Sequence, residues 1–174
     1  MKISRVWQMP NASTFDIPSI RDFVNRYNRG ISVDPFARNQ KLSVWTNDID
    51  PNSDADSHLD AVKFLSDLAE KKIVADVVLL DPPYSPRQIS ENYSRAGLVA
   101  SSSDTQNALL YKNCKRQIRR ICKLGSHVLT FGWNTVGMGP GFEMEEILIV
   151  CHGGAHNDTL CVAEKMVQEQ KSLL

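Results

Sequence analysis

Apolar residues recur along this chain with two different periods, and the switching between them lays out most of the expected elements. Over residues 18–27 the positions Ile20, Phe23, Val24 and Tyr27 fall at i, i+3, i+4 and i+7, with Pro18 in the first turn and Gly30 as a stop. That is the pattern of an amphipathic helix. A second helix is expected over 58–72, where Leu59, Val62, Leu65, Leu68 and Ala69 share a face. A third is expected over 109–123, with Cys114, Ile118, Ile121 and Cys122 inward. Short apolar runs at 31–33, 43–46, 75–80, 127–131, 146–151 and 159–163 read as strands. The last two are separated by seven residues, too few for a parallel crossover, which predicts an antiparallel hairpin. The rest predicts an α/β fold with a mostly parallel sheet. Residues 1–14 read as a polar and aromatic lead-in, and 94–107 as a mobile loop.

Composition narrows the picture without supplying a function. A length of 174 residues is enough for one domain with its own core, and 42% apolar with 23% charged residues is ordinary for a soluble globular protein. No apolar run approaches a membrane span and no charged-then-apolar leader opens the chain, so the expectation is a cytoplasmic protein without a membrane partner. The formal net charge of +0 removes any whole-chain attraction to nucleic acid; such binding has to come from a local patch. Cys114, Cys122, Cys151 and Cys161 lack metal-ligand or redox spacing and read as reduced core residues. His152, His156 and Asp158 sit in a glycine-rich turn, and no metal is expected there. Gly137, Gly139 and Gly141 read as a plain loop, because Pro140 interrupts them and no helix follows.

The chemistry-bearing stretch is Asp81-Pro82-Pro83-Tyr84, at the end of the apolar run 77–80. In open α/β folds the carboxyl edge of the sheet is where ligands bind. An exocyclic amino group on a nucleobase is a poor nucleophile, because its lone pair is delocalised into the ring. A carboxylate and a backbone carbonyl that each accept one of its N–H bonds draw the nitrogen toward tetrahedral geometry. Asp81 and the Pro82 carbonyl suit those two tasks, the proline pair stiffens the turn, and Tyr84 offers a face for stacking on the base. Two other expected strands also end in acidic turns, at Asp34 and at Asp48 and Asp50. An acid after the second strand of a nucleoside-binding fold commonly holds ribose hydroxyls, although aspartates also simply shape turns. Lys112, Lys115, Arg116, Arg119, Arg120 and Lys123 form a basic helix face, read as solvated; Arg87 is the preferred phosphate contact.

From about residue 9 to 165 the sequence resembles small phage- and prophage-type adenine-specific DNA methyltransferases that use S-adenosylmethionine. The catalytic motif is matched by Asp81, Pro82, Pro83 and Tyr84, and the cofactor-loop motif by Asp34-Pro35-Phe36-Ala37, continuing into Arg38 and Asn39. The ribose site is matched by Asp48, Ile49 and Asp50, the adenine-contacting acid by Asp60-Ala61, and the segment closing over the methionine end by Met9, Asn11 and Thr14. The resemblance implies a Rossmann-like class I methyltransferase fold and S-adenosyl-L-methionine as cofactor. It implies methyl transfer to N6 of adenine in DNA, with Asp81 shared between cofactor and amine. Substrate contacts fall on Tyr84, Ser85, Arg87 and Trp133, and the setting is the cytoplasm of a bacterial host. Two departures stand out. Arg38-Asn39-Gln40 replaces the family's Gly-x-Gly, which weakens or reshapes the cofactor pocket. A single domain of this length has no room for a target-recognition region, so that task falls to the loops 85–107 and 132–141, or to a protein partner or homodimer. Two alternatives stay open: base amino-methylation of RNA at guanine N2 or adenine N6, and a catalytically inactive methyltransferase-like binding subunit.

Overall fold

Val77, Val78, Leu79 and Leu80 are all fully buried. Successive side chains of a strand point to opposite faces, so such a run needs cover on both sides. The fold supplies it. The structure, a computed structural model, describes residues 1–97, 107–154 and 156–168. Most of the stretch expected as a mobile loop, residues 98–106, lies outside the described residues. Among the described residues, the strands are β1 (Lys2–Trp7), β2 (Ser32–Asp34), β3 (Trp45–Thr46), β4 (Ala75–Leu80), β5 (Cys122–Gly132), β6 (Phe142–Cys151) and β7 (Thr159–Met166). The helices are α1 (Pro18–Tyr27), α2 (Ala61–Glu70), α3 (Pro86–Arg95) and α4 (Asn107–Ile121), with a 3-10 turn at Thr14–Asp16.

The strands form one sheet in the order β1-β6-β7-β5-β4-β2-β3. On one face Val77 and Leu79 of β4 pack with Ile20, Phe23 and Val24 of α1. On the other, Val78 and Leu80 pack with Leu65 and Leu68 of α2 and Cys114, Ile118 and Ile121 of α4. Each large side chain fully buried this way contributes about 1.5–3 kcal/mol relative to exposure. The expected hairpin is present, with β6 and β7 antiparallel and Ile147 opposite Val162. The β5–β7 pairing is antiparallel too, and the β1–β6, β2–β3, β2–β4 and β4–β5 pairings are parallel.

Two elements were not legible in the sequence. Residues 2–7, read as a lead-in, form the edge strand β1, and residues 86–95, read as irregular, form α3. An edge strand facing solvent needs no apolar run, and the Lys-Ile-Ser-Arg-Val-Trp segment contains no buried residue. In α3, Ile89 is the residue whose burial ties it to the core. The Cys122 end of β5 also displaces the expected last turn of α4.

The chain visits β2, moves outward to β3, then crosses to the other side of β2 to form β4. The order therefore reverses between β2 and β4, and a crevice opens outside their carboxyl ends. Asp34 closes β2. Asp81 follows β4 directly. Because β1 runs parallel to β6, it delivers residues 8–14 to the same edge.

Candidate active site

Asp34 is completely buried. Its Oδ1 accepts the backbone N–H of Phe36 at 2.9 Å, and its Oδ2 has no partner among the described residues. Burial pushes this carboxyl up to about 8 against the opposing Phe36 hydrogen bond, and the charges of Asp81 and Asp48 push the same way. The loop that follows is fastened by Asn47. Its Nδ2 donates to the carbonyls of Pro35 at 3.2 Å and Leu59 at 2.9 Å, and its Oδ1 accepts from the Leu59 backbone at 2.9 Å.

Arg38 stands where the resemblance expects glycine. It adopts φ +51°, a left-handed conformation that costs a non-glycine residue about 1 kcal/mol. The Arg38 N–H donates to Asp48 Oδ2 at 3.1 Å, and its guanidinium reaches back to the Ala12 carbonyl at 2.8 Å. The second oxygen of Asp48 accepts the N–H of Asp50 at 2.9 Å. Asp50 in turn accepts from Asn52, so its local role is to shape the turn.

In the Asp81–Tyr84 turn, the Tyr84 hydroxyl donates to Asp81 Oδ1, and Thr14 lies beside both residues. Burial raises the Asp81 carboxyl above its ordinary value, opposed by the Tyr84 and Thr14 hydrogen bonds and the nearby Arg38 charge. Burial also raises the Tyr84 phenol, and the adjacent Asp81 reinforces the rise. No described residue donates to the Pro82 carbonyl. The Tyr84 ring lies 5.5 Å from that of Trp133, which follows the end of β5 and is half exposed.

Two cavities meet at this turn. A small one of about 40 Å³ is lined by Phe36, Asp48, Ile49, Asp60, Ala61 and Pro83. A large cleft of about 780 Å³ is lined by Tyr84, Trp133 and one side of α4. The sequence-based candidates thus fall into groups. Asp34, Phe36, Ala37, Arg38, Asp48, Ile49, Asp60, Ala61, Asp81, Pro82, Pro83 and Tyr84 gather on the carboxyl edge around the order reversal. Asp60 lines the small cavity, and its Oδ1 also caps α2 by accepting from Val62 at 2.9 Å and Lys63 at 3.1 Å. Thr14 reaches the catalytic pair. Met9 is exposed at 80%, and Asn11 folds its amide oxygen onto the Ser13 N–H at 3.0 Å. Asn39 accepts from the Asp54 N–H at 3.1 Å, at the rim of a polar depression that Arg38, Asp48, Asp50 and Arg95 line.

Two of the substrate candidates lie away from the large cleft. Ser85 Oγ accepts the Gln88 N–H at 3.2 Å at the start of α3, and Arg87 points to solvent and pairs with Glu91 at 2.7 Å. Neither lines the large cleft. Conversely, the α4 face read as merely solvated supplies Lys112, Lys115, Arg116 and Arg119 to it. The signal that could have found them was the i, i+3, i+4, i+7 spacing of those four cations.

No protein-family model matches the chain, and no curated protein matches it in sequence. Solved structures do. TrmN from Thermus thermophilus aligns with a TM-score of 0.52 at 14% identity, over 87% of this chain and 49% of that one. The chain therefore spans about half the length of TrmN. A hypothetical protein, also from Thermus thermophilus, aligns with a TM-score of 0.51 at 14% identity, over 90% of this chain and 91% of its own. An S-adenosylmethionine-dependent methyltransferase from Agrobacterium tumefaciens aligns with a TM-score of 0.47 at 13% identity, covering 87% of this chain and 60% of that one. The chain shares a Rossmann-like α/β fold with these structures. S-adenosylmethionine is the cofactor that the motif resemblance implies, and the chemistry of the residues at this edge suits it. The unpartnered Oδ2 of Asp34 is a buried acceptor suited to a cationic ligand, and the adjoining cavity joins apolar walls to the carboxylates of Asp48 and Asp60.

Proposed function

We propose that this protein is an S-adenosylmethionine-dependent methyltransferase acting on the exocyclic N6 amino group of adenine in DNA. The observation that carries the reading is the catalytic turn. A half-buried carboxylate and a proline carbonyl with no donor among the described residues are neighbours in a turn that borders both an acid-lined cavity and an aromatic cleft. When bound, S-adenosylmethionine supplies an electrophilic methyl group on a sulfonium.

Asp81 and the Pro82 carbonyl each accept one N–H of the target amine, localising its lone pair toward the methyl. An amine that accepted that methyl would have a proton to shed. Asp81 can hold that proton, because burial has raised its carboxyl. Tyr84 and Trp133 flank the heterocycle, which has to leave a duplex stack to reach them. Thr14 and Tyr84 hold Asp81 in place, so catalysis rests on positioning and electrostatics. The Tyr84 hydroxyl donates to Asp81 Oδ1, so an incoming amine displaces it or uses the other oxygen.

The test is methyl incorporation from labelled S-adenosylmethionine into DNA and RNA in parallel, with the modified nucleoside identified by mass spectrometry. N6-methyladenine in DNA that disappears in Asp81→Ala is the expected result. Modified guanine or adenine in RNA alone moves the assignment to an RNA base. Absence of any product, with Asp81→Ala indistinguishable from wild type, refutes it.

A further inference from the structure

The large cleft and the small cavity carry opposite charge. Among the described residues no carboxylate lines the cleft, whereas Lys112, Lys115, Arg116 and Arg119 all do. The chain as a whole is neutral, so this is a local concentration of positive charge rather than an average property.

The four cations are not equivalent. Arg119 is committed to the protein: Nη1 donates to the Pro140 carbonyl at 2.6 Å, Nη2 donates to the Met138 carbonyl, and the guanidinium sits over Phe142. It holds the loop that forms the opposite wall. Glu164 fastens that loop from below by accepting the Met138 N–H at 2.7 Å. The approach is so close that a Cβ at Gly137 would lie 2.4 Å from the carboxylate. Lys115 is half-buried, with its ammonium 5.8 Å from the centre of the Tyr111 ring. Lys112 and Arg116 are exposed and make no hydrogen bond or ion pair with any described residue. They lie one helical turn apart, about 6 Å along the axis, close to the step between neighbouring phosphates of an extended strand. Across the cleft, Trp133 offers a half-exposed indole.

We infer that this cleft is the track for a single strand of DNA, with consecutive phosphates on Lys112 and Arg116, the target base against Tyr84 and a neighbouring base stacked on Trp133. The inference rests on the methyl-transfer reading for which base enters at Tyr84. Charge complementarity selects a polyanion, and the facing aromatics select one with exposed bases. A volume of about 780 Å³ suits one or two nucleotides, not a duplex. The four residues also account for recognition in a domain whose other candidate phosphate contact, Arg87, faces away.

The test is fluorescence anisotropy of a labelled adenine-containing DNA 12-mer against salt, with matched RNA and duplex DNA, and with KM for the same strands. In the double variant Lys112→Glu with Arg116→Glu, binding of single-stranded DNA is expected to weaken at least tenfold. The slope of log affinity against log salt is expected to fall by about 1.4, or about 0.7 for each phosphate lost. Trp133→Ala is expected to weaken it about fivefold or more, while Arg87→Glu and the cofactor affinity of every variant stay at wild-type values. Both cations are solvent-facing, so an unchanged melting temperature verifies the fold. Wild-type binding and KM in the double variant overturn the inference even if methylation persists, which leaves the methyl-transfer reading intact. Tighter binding of RNA than DNA, with the larger loss on RNA, also overturns it. Strand binding that collapses in the double variant while no nucleic acid is methylated supports the track and refutes the methyl-transfer reading.

Discussion

Asp34 and Glu146 are both carboxylates buried in the same sheet, and their surroundings treat them in opposite ways. Glu146 faces α1 and the start of β1. Burial alone would raise its carboxyl, but Lys2 at 3.1 Å, the Tyr27 hydroxyl at 3.0 Å and Arg26 at 2.7 Å reverse the effect and hold it below the ordinary value. Asp34 has a single backbone donor, a bare second oxygen and two negative neighbours. A buried carboxyl that is saturated with partners serves the fold, and one left short of partners is a candidate for ligand contact. Glu146 lies between structural cations, whereas Asp34 lies at the order reversal of the sheet, where a cationic cofactor can complete it.

This contrast can be broken most forcefully at Asp81. Asp81→Asn should lower kcat for methyl transfer by about 10³-fold, within the range for removing a group that handles a proton, while cofactor affinity by calorimetry changes little. Asp34→Asn should do the converse, weakening cofactor binding about 10- to 100-fold, the worth of a hydrogen bond to a charged group. It should also remove a pH dependence. With its carboxyl raised to about 8, Asp34 is protonated below that pH and must release the proton to meet a cation. Wild-type cofactor affinity is therefore expected to climb by about tenfold per pH unit up to about pH 8 and then level off, with proton release detectable in buffers of different ionisation enthalpy.

Glu146→Gln tests the other member of the pair. It should cost about 1.5–3 kcal/mol of stability at pH 7, seen as a lower melting temperature, and leave the kinetics of methyl transfer unchanged. The sign of its linkage is opposite. A carboxyl held low contributes stability above its unfolded value, and loses it as pH falls through the folded one. The variant's melting temperature should thus be less sensitive to acid than that of wild type. The smallest effect is expected from Tyr84→Phe. It keeps the ring and removes the hydroxyl on Asp81, changing kcat/KM by less than about tenfold, whereas Tyr84→Ala also loses the stacking face.

How much of this was legible in the sequence depends on what kind of signal each part carries. Residues 18–27 and 75–80 were readable to the residue, because both are bounded by breakers and buried strongly enough to impose a period. The β6–β7 hairpin followed from chain length alone. β1 and α3 escaped because a solvent-facing edge strand and a helix tied in chiefly by Ile89 have little apolar pattern to show. Within the site, the acids and the catalytic turn were visible as types in order. The direction a cation faces is a tertiary property, and the sequence favoured Arg87 over Lys112 and Arg116 for that reason. At position 38, where the resemblance expects glycine, the sequence pointed to a weakened or reshaped cofactor pocket. Arg38 takes the left-handed conformation, tied down by Asp48 and Ala12, which the sequence does not reveal.

Pro83 lines the small cavity and its neighbour Tyr84 lines the large cleft, so the partition between them is one residue thick. For inhibitor design this thinness sets the linker. On the methyl-transfer proposal, a bisubstrate compound joining an adenosyl-like cation to a purine mimic would need only a short tether past the Asp81 carboxylate, its two halves optimised against walls of opposite charge.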